Sequence, residues 1–420
     1  MKGPEQEGEG VAGSSSYRFR HRRRLMDATT ATDSEHSSHN GMPVMVSTLV
    51  VVIVCTLFYC VYCWRWRKRN DVRRAQTESL RPLSNSDLPI MDLSSVYEAT
   101  NHFSKENKLG EGGFGPVYRG VLGGGAEIAV KRLSARSRQG VAEFRNEVEL
   151  IAKLQHRNLV RLLGCCVERE ENMLIYEYLP NRSLDAFLFD SRKSAQLDWK
   201  MRHNIILGIA RGLLYLHEDS CLKVIHRDIK ASNVLLDNKM NPKISDFGMA
   251  KIFEEQGNEV NSNTSHVVGT YGYMAPEYAM EGVFSVKSDV FSLGVLMLEI
   301  LSGQRNGAMY LRDHQQTLIQ DAWKLWREDK AAEFMDASLG GSYSREEAWR
   351  CFHVGLLCVQ EGPELRPTMS NVVLMLISHQ MQLPEPAQSP LFTRLNKVSA
   401  PETTKTQSVN DVSISMIDPR

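Results

Sequence analysis

Residues 225–233 read IHRDIKASN, and residues 245–250 read SDFGMA. An acid flanked by basic residues, an amide five positions later and a second acid before Phe-Gly can gather oxygen ligands around a metal-bound phosphate. The same residues can also be polar punctuation between strands, so their neighbours decide the reading.

Upstream, GEGGFGPV (110–117) places Gly110, Gly112 and Gly115 in a G-x-G-x-x-G-x-V pattern. Alone, that spacing serves dinucleotide folds and ordinary turns alike. A dinucleotide loop opens a helix, whereas these glycines lie between two extended runs, with VYRGVL continuing after them. The arrangement predicts a flap whose backbone N–H groups approach phosphates because no Cβ blocks them. IAVK then ends in Lys131 on the last of three antiparallel strands. QGVAEFRNEVELIAKLQ (139–155) spaces Val141, Phe144, Val148, Ile151 and Leu154 for one long amphipathic helix with Glu147 facing inward. A lysine on the inner face of a half-buried strand is costly unless paired, so a Lys131–Glu147 pair is expected, with the ammonium reaching phosphate oxygens. Either residue alone reads as a solvated charge; the ordered set reverses that.

VRLLGCCVE and NMLIYEYL supply two further strands, and beyond Pro180 helices dominate, as in 199–218, 288–303 and 347–360. A small sheet-rich lobe therefore precedes a larger helical one.

Gly loop, strand Lys, helix Glu, HRD with Asn233, DFG and APE (275–277) follow the order of the protein-kinase signatures. Residues 99 to about 382 resemble a eukaryotic protein kinase domain, and specifically a plant receptor-like Ser/Thr kinase of the cysteine-rich-repeat and S-domain types. ATNHFSKENKLGEGGFGPVYRG, HRNLVRLLGCC, GTYGYMAPEYAMEGVFSVKSDVFSLGVLMLEILSG and SVNDVSISMIDPR carry that likeness. The fold it implies is α+β and two-lobed, with the N-lobe at 99–178 and the C-lobe at 179–382.

The resemblance implies that Asp228 accepts or orients the substrate hydroxyl, that Lys230 steadies the transferring phosphoryl group, and that Asn233 and Asp246 hold Mg²⁺, with Mn²⁺ the alternative ion. It implies an ATP site in which Leu109, Val117, Ala129 and Leu235 sandwich the adenine. Backbone groups of Glu177 and Leu179 read its edge, and Tyr176 is the gatekeeper. Lys230 and GTYGYMAPE imply Ser/Thr substrates. Arg227 is expected to meet a phosphorylated activation loop. Among Ser262, Thr264, Ser265 and Thr270, the switch is expected at Thr264 or Ser265, with Thr270 partly structural. Two further pairings are implied, Glu277 with Arg366 and Asp289 with the HRD backbone. The competing class, a membrane-tethered pseudokinase scaffold, has no support in a motif set with every chemical residue in place.

The rest of the chain adds a membrane. Residues 42–64, MPVMVSTLVVVIVCTLFYCVYCW, carry no charge and as a helix extend roughly 34 Å, enough to cross a hydrocarbon core. The run ends in RWRKRN, with Tyr59, Tyr62, Trp64 and Trp66 at that edge, which argues against a buried soluble helix. Arg65, Arg67, Lys68, Arg69, Arg73 and Arg74 are expected to place the C-terminal bulk of the chain in the cytosol; with one such span, the receptor-kinase resemblance implies a single-pass protein of the plasma membrane.

Residues 1–41 lack an apolar leader and are expected to form a disordered, non-cytosolic segment, without the signal peptide and large outer part of the family. That departure counts against direct ligand sensing. RFRHRRR (18–24) reads as a solvated tail. Residues 65–98 read as a basic linker and 383–420 as a flexible tail.

With Lys plus Arg at 50 and Asp plus Glu at 50, net charge points to no nucleic-acid partner. Protein substrates, and a co-receptor kinase or second copy, are the expected partners. The eight cysteines show no metal-ligand spacing. Cys60 and Cys63 are expected unmodified, palmitoylation being the alternative.

Overall fold

The computed structural model describes residues 41–80, 88–112, 115–134, 138–168, 171–253, 262–264, 267–307 and 317–387. Helix α1 (Gly41–Leu80) contains a stretch, Met45–Arg67, with mean hydropathy 2.4 and no buried residue. Its apolar side chains, among them Leu49, Val52, Phe58 and Tyr62, are exposed on all sides. Such a helix has no polar face to give water, and it is long and apolar enough to cross a membrane.

The smaller lobe is a five-stranded antiparallel sheet in the order β1-β2-β3-β5-β4. Its strands are β1 (Lys108–Gly112), β2 (Gly115–Val121), β3 (Glu127–Ser134), β4 (Leu162–Glu168) and β5 (Glu171–Glu177). The outer face carries Ile128, Val130, Cys166, Met173 and Ile175, and helix α2 (Leu93–Ala99) covers it with Leu93 and Val96. Part of the 65–98 stretch is therefore packed secondary structure. Just before α2, the Met91 amide donates to the Cys165 carbonyl at 2.8 Å and the Cys165 amide to the Pro89 carbonyl at 3.0 Å. This rung closes the β4 edge, which would otherwise offer unpaired backbone groups.

On the inner side lies α3 (Arg138–Ile151), burying Val141, Phe144, Val148 and Ile151 as the spacing predicts. The helix ends at Ile151, short of the expected 155. Leu154 keeps its buried place because a turn, with its amide 3.2 Å from the Ile151 carbonyl, brings it back to the core.

In the larger lobe α4 (Asp185–Leu188) and α5 (Trp199–Leu214) precede three short antiparallel pairs. β6 (Val224–Ile225) pairs with β9 (Lys251–Ile252), β7 (Val234–Leu236) with β8 (Pro242–Ile244), and β10 (Ser262–Asn263) with β11 (Val283–Phe284). Helix α6 (Pro276–Glu281) separates the last two strands, and α7 (Val286–Ser302) follows. Then come α8 (Leu318–Arg327), α9 (Arg345–Cys358) and α10 (Met369–Ile377).

Helix α7 is buried along almost its whole length and is the scaffold of this lobe. It starts in a Ser285–Ser288 capping box and stops at Gly303, whose φ of 67° few other residues accept. At Gly294 a Cβ would lie 2.7 Å from Cys358 Cβ, so glycine is what lets α9 pack this close.

Residues beyond α10 run along α9. Arg350 donates to the Met381 carbonyl at 2.8 Å, His353 Nε2 lies 2.8 Å from the Pro384 carbonyl, and the Ala387 amide reaches Gln360 at 2.8 Å.

Candidate active site

The β6–β7 and β8–β9 turns bring the two acids of the opening motif to the mouth between the lobes. Both turns are strained. Arg227 (φ 69°) and Asp246 (φ 67°) occupy the left-handed region, a cost that surrounding contacts must offset. Asp289, at the start of α7, supplies those contacts for Arg227. Its Oδ1 accepts the Arg227 amide at 2.8 Å and its Oδ2 the His226 amide at 2.7 Å, with His217 Nε2 at 2.9 Å from Oδ2. Burial opposes charge on Asp289, yet His217, His226 and the two amides hold its carboxyl below the ordinary range.

Asp228 is the hub of the β6–β7 turn. Its Oδ2 lies 2.7 Å from Lys230 Nζ and accepts from Asn233 Nδ2 at 2.8 Å. Its Oδ1 accepts from the Thr270 hydroxyl at 2.8 Å, and Lys230 donates to the same hydroxyl at 2.8 Å. With the Asn233 NH₂ also donating to the Asp228 carbonyl at 2.9 Å, its Oδ1 has no partner among the described residues.

Lys131 on β3 joins the lobes. Its ammonium is 2.5 Å from Glu147 Oε1 on α3 and 2.8 Å from Asp246 Oδ1. Burial works against the charged lysine, but the Asp246 and Glu147 carboxylates hold it protonated, above the ordinary lysine value. Asp246 likewise is held low by Lys131, His226 and Lys230 in spite of burial. Burial pushes Glu147 up against the pull of Lys131.

Two contacts on this assembly carry no sequence signature. The Tyr176 hydroxyl donates to Glu147 Oε2. Asn146, beside Glu147, donates to the carbonyls of Phe247 (2.9 Å), Gly248 (3.0 Å) and Ala250 (2.8 Å), tying α3 to the Asp-Phe-Gly turn. Neither was read from the sequence, since each depends on chain segments brought together only by folding.

Leu109, Val117, Ala129 and Leu235 are half-buried, and Leu179 is buried. Glu177 turns its carboxylate to Lys243 (2.9 Å) and the Arg161 amide (2.8 Å). The three glycines differ. At Gly115 (φ 128°) a Cβ would meet the Arg132 carbonyl at 2.2 Å, so the strand itself demands glycine. At Gly110 and Gly112 a Cβ would meet nothing within 4 Å, so the protein's own packing does not require them; a phosphate approaching the backbone would.

These residues fit a nucleotide and a hard cation. Asp246 keeps one carboxylate oxygen, and Asn233 its amide oxygen, free of partners among the described residues. Two such oxygens suit Mg²⁺, which keeps most of its waters.

Thr270 is engaged with Asp228 and Lys230 through its hydroxyl. The Thr264 amide donates to the Gly282 carbonyl at 3.0 Å beside β10–β11. Ser265 lies outside the described residues.

A family model for protein tyrosine and serine/threonine kinases matches residues 103–376. The chain belongs to that family. Protein kinases generally use ATP with Mg²⁺ and act on proteins. This kinase is 54% identical to the Arabidopsis thaliana G-type lectin S-receptor-like serine/threonine-protein kinase SD1-1, over 90% of the chain and 45% of that relative. It is 50% identical to the Arabidopsis thaliana cysteine-rich receptor-like protein kinases 11 and 10, over 88% and 91% of the chain and 55% and 58% of those relatives. The kinase chain thus spans about half the length of the relatives it matches. With receptor-like relatives and helix α1, it is a membrane-anchored kinase.

Proposed function

We propose that the protein is a receptor-type serine/threonine kinase of the plasma membrane, with its catalytic domain in the cytosol. The observation that carries this reading is the Lys131 ammonium held at once by Glu147 and Asp246, which closes α3 and the Asp-Phe-Gly turn onto β3.

Bound ATP supplies the phosphoryl group, and Mg²⁺ offsets the charge on its phosphates. Leu109, Val117, Ala129 and Leu235 hold the adenine, whose edge meets backbone groups of Glu177 and Leu179. Gly110, Gly112 and Gly115 let backbone amides close on the phosphates, Lys131 reaches them, and Asn233 with Asp246 holds the cation. Asp228, oriented by Lys230, Asn233 and Thr270, accepts the proton of the substrate hydroxyl as that oxygen bonds the transferred phosphoryl group, and ADP is the leaving group. Lys230 supplies positive charge where the transferring group crosses. The substrates are Ser/Thr residues of proteins, and a co-receptor kinase or a second copy is the partner. Phosphate on Thr264 or Ser265 adjusts the loop.

The test is phosphate transfer from radiolabelled ATP by the purified protein, alone and with a basic protein substrate, against Asp228→Asn. Labelling on Ser and Thr by wild type and silence of a folded variant is expected. Silence of both, with ATP still bound, overturns the reading.

A further inference from the structure

Arg227 next to the catalytic Asp228 is 9% exposed; its amide is held by Asp289, but among the described residues its guanidinium meets no carboxylate. A buried cation without a counter-charge is costly, so the chain must offset it in another way. The Arg227 guanidinium carbon lies 4.5 Å from the Phe284 ring centroid and 5.3 Å from that of Tyr278. Its Nη2 donates to the Tyr278 hydroxyl at 2.6 Å and its Nη1 to the Met249 carbonyl at 3.2 Å. Its Nε is buried without a partner among the described residues.

The Tyr278 hydroxyl also binds Val268 in the activation segment twice, accepting from its amide at 3.0 Å and donating to its carbonyl at 2.7 Å. A phenol has one proton and two acceptor positions, and all three are used here. Two residues beyond Val268, Thr270 is bonded to Asp228. The contacts therefore close a ring: Arg227 to Tyr278, Tyr278 to Val268, the chain to Thr270, Thr270 to Asp228 and back to Arg227. A phenylalanine would fill the same space and leave the ring open.

We infer that Tyr278 is a positioning residue that holds Arg227 and the activation segment in the catalytic arrangement without any phosphate on the loop. Loop phosphorylation then raises an existing activity and does not create it. This rests on the kinase reading of the same site.

The experiment uses the full chain in detergent micelles, treated with a protein phosphatase and verified as unphosphorylated by intact mass. Dephosphorylated wild type should retain at least roughly a third of the kcat of the phosphorylated form. Tyr278→Phe, equally dephosphorylated, should lose about tenfold in kcat with little change in the KM for ATP, the kinetic equivalent of one charge-assisted hydrogen bond. In an Arg227→Met background the same substitution should cost nothing further, a non-additivity that a merely structural tyrosine would not produce.

The wild-type arm stands even where the variant folds poorly. A dephosphorylated wild type that is silent while its phosphorylated form is active, or whose Val268 amide exchanges as fast as an open loop, overturns the inference. So does a Tyr278→Phe variant as active as wild type. A phosphorylated wild type that binds ATP and transfers nothing sinks the kinase reading itself, and this inference with it.

Discussion

Glu277 and Arg366, 89 residues apart in the chain, meet in a two-armed ion pair, with Nη1 2.7 Å from Oε1 and Nη2 2.8 Å from Oε2. The remaining guanidinium donors reach the carbonyls of Gln360 (2.7 Å), Lys287 (3.0 Å) and Glu361 (2.7 Å). Together these fasten the end of the activation segment, the start of α7 and the turn before α10. Removing one partner strands the other charge where little water reaches, the Arg366 side chain being fully buried and that of Glu277 12% exposed. Arg366→Met is expected to destabilise the fold by about 3–5 kcal/mol, measured by denaturant unfolding. A loss below about 1 kcal/mol would show that the pair is solvated.

Gly282 ends α6 with φ 70°, and a Cβ there would lie 2.2 Å from the Thr264 carbonyl. Backbone on both sides leaves little room to yield. Gly282→Ala should cost about 1–3 kcal/mol and part β10 from β11, because a left-handed residue with a side chain is strained even in open space. Faster hydrogen exchange at the Thr264 amide, which donates to the Gly282 carbonyl, is the readout. Unchanged exchange would refute it.

The candidate-site residues that folding gathers between the lobes were legible as a group because they sit at fixed spacing. Asp228, Asn233 and Asp246 announce themselves within one short stretch, and Lys131 and Glu147 by strand and helix periodicity. The Pro89–Met91 rung on β4 was not legible, since it uses backbone groups that a side-chain pattern does not display. Tyr278 was equally silent. Its hydroxyl matters only because folding brings Arg227 and Val268 to it. Leu154 misled the helix boundary, since a turn buries an apolar residue as well as a helix does. The strap along α9 was hidden in a stretch whose proline and polar content reads as tail.

Glu299 on α7 is buried with no cationic partner within ion-pair distance among the described residues; it accepts from the Tyr273 hydroxyl at 2.6 Å and the Asn306 amide at 2.9 Å. Burial pushes its carboxyl up to about 7, against the lowering effect of those donors and of Arg305. The folded state therefore binds this proton more tightly than the unfolded chain does. Stability from Glu299 is complete below the unfolded value near 4.5 and is lost as pH rises through about 7. Across that window, stability of wild type relative to Glu299→Gln should fall by about 2–3 kcal/mol. Parallel stability curves against pH would show that Glu299 is ionised throughout.

Tyr176 faces the cleft from β5 and gives its hydroxyl proton to Glu147 Oε2, while Lys131 holds Oε1. The two contacts fix the carboxylate from both sides, and with it the rotation of α3. Tyr176→Phe removes one of them without opening a cavity. A drop in kcat of about threefold to tenfold is expected, with the KM for ATP nearly unchanged, because the phenol acts on Glu147 and not on the adenine. Glu147→Gln should cost more, about a hundredfold, since it weakens the Lys131 contact as well. If the tyrosine acts through Glu147, adding Tyr176→Phe to Glu147→Gln should change kcat little. Full additivity of the two losses would mean that the hydroxyl serves another partner, and a rise in the KM for ATP alone would place that partner in the nucleotide.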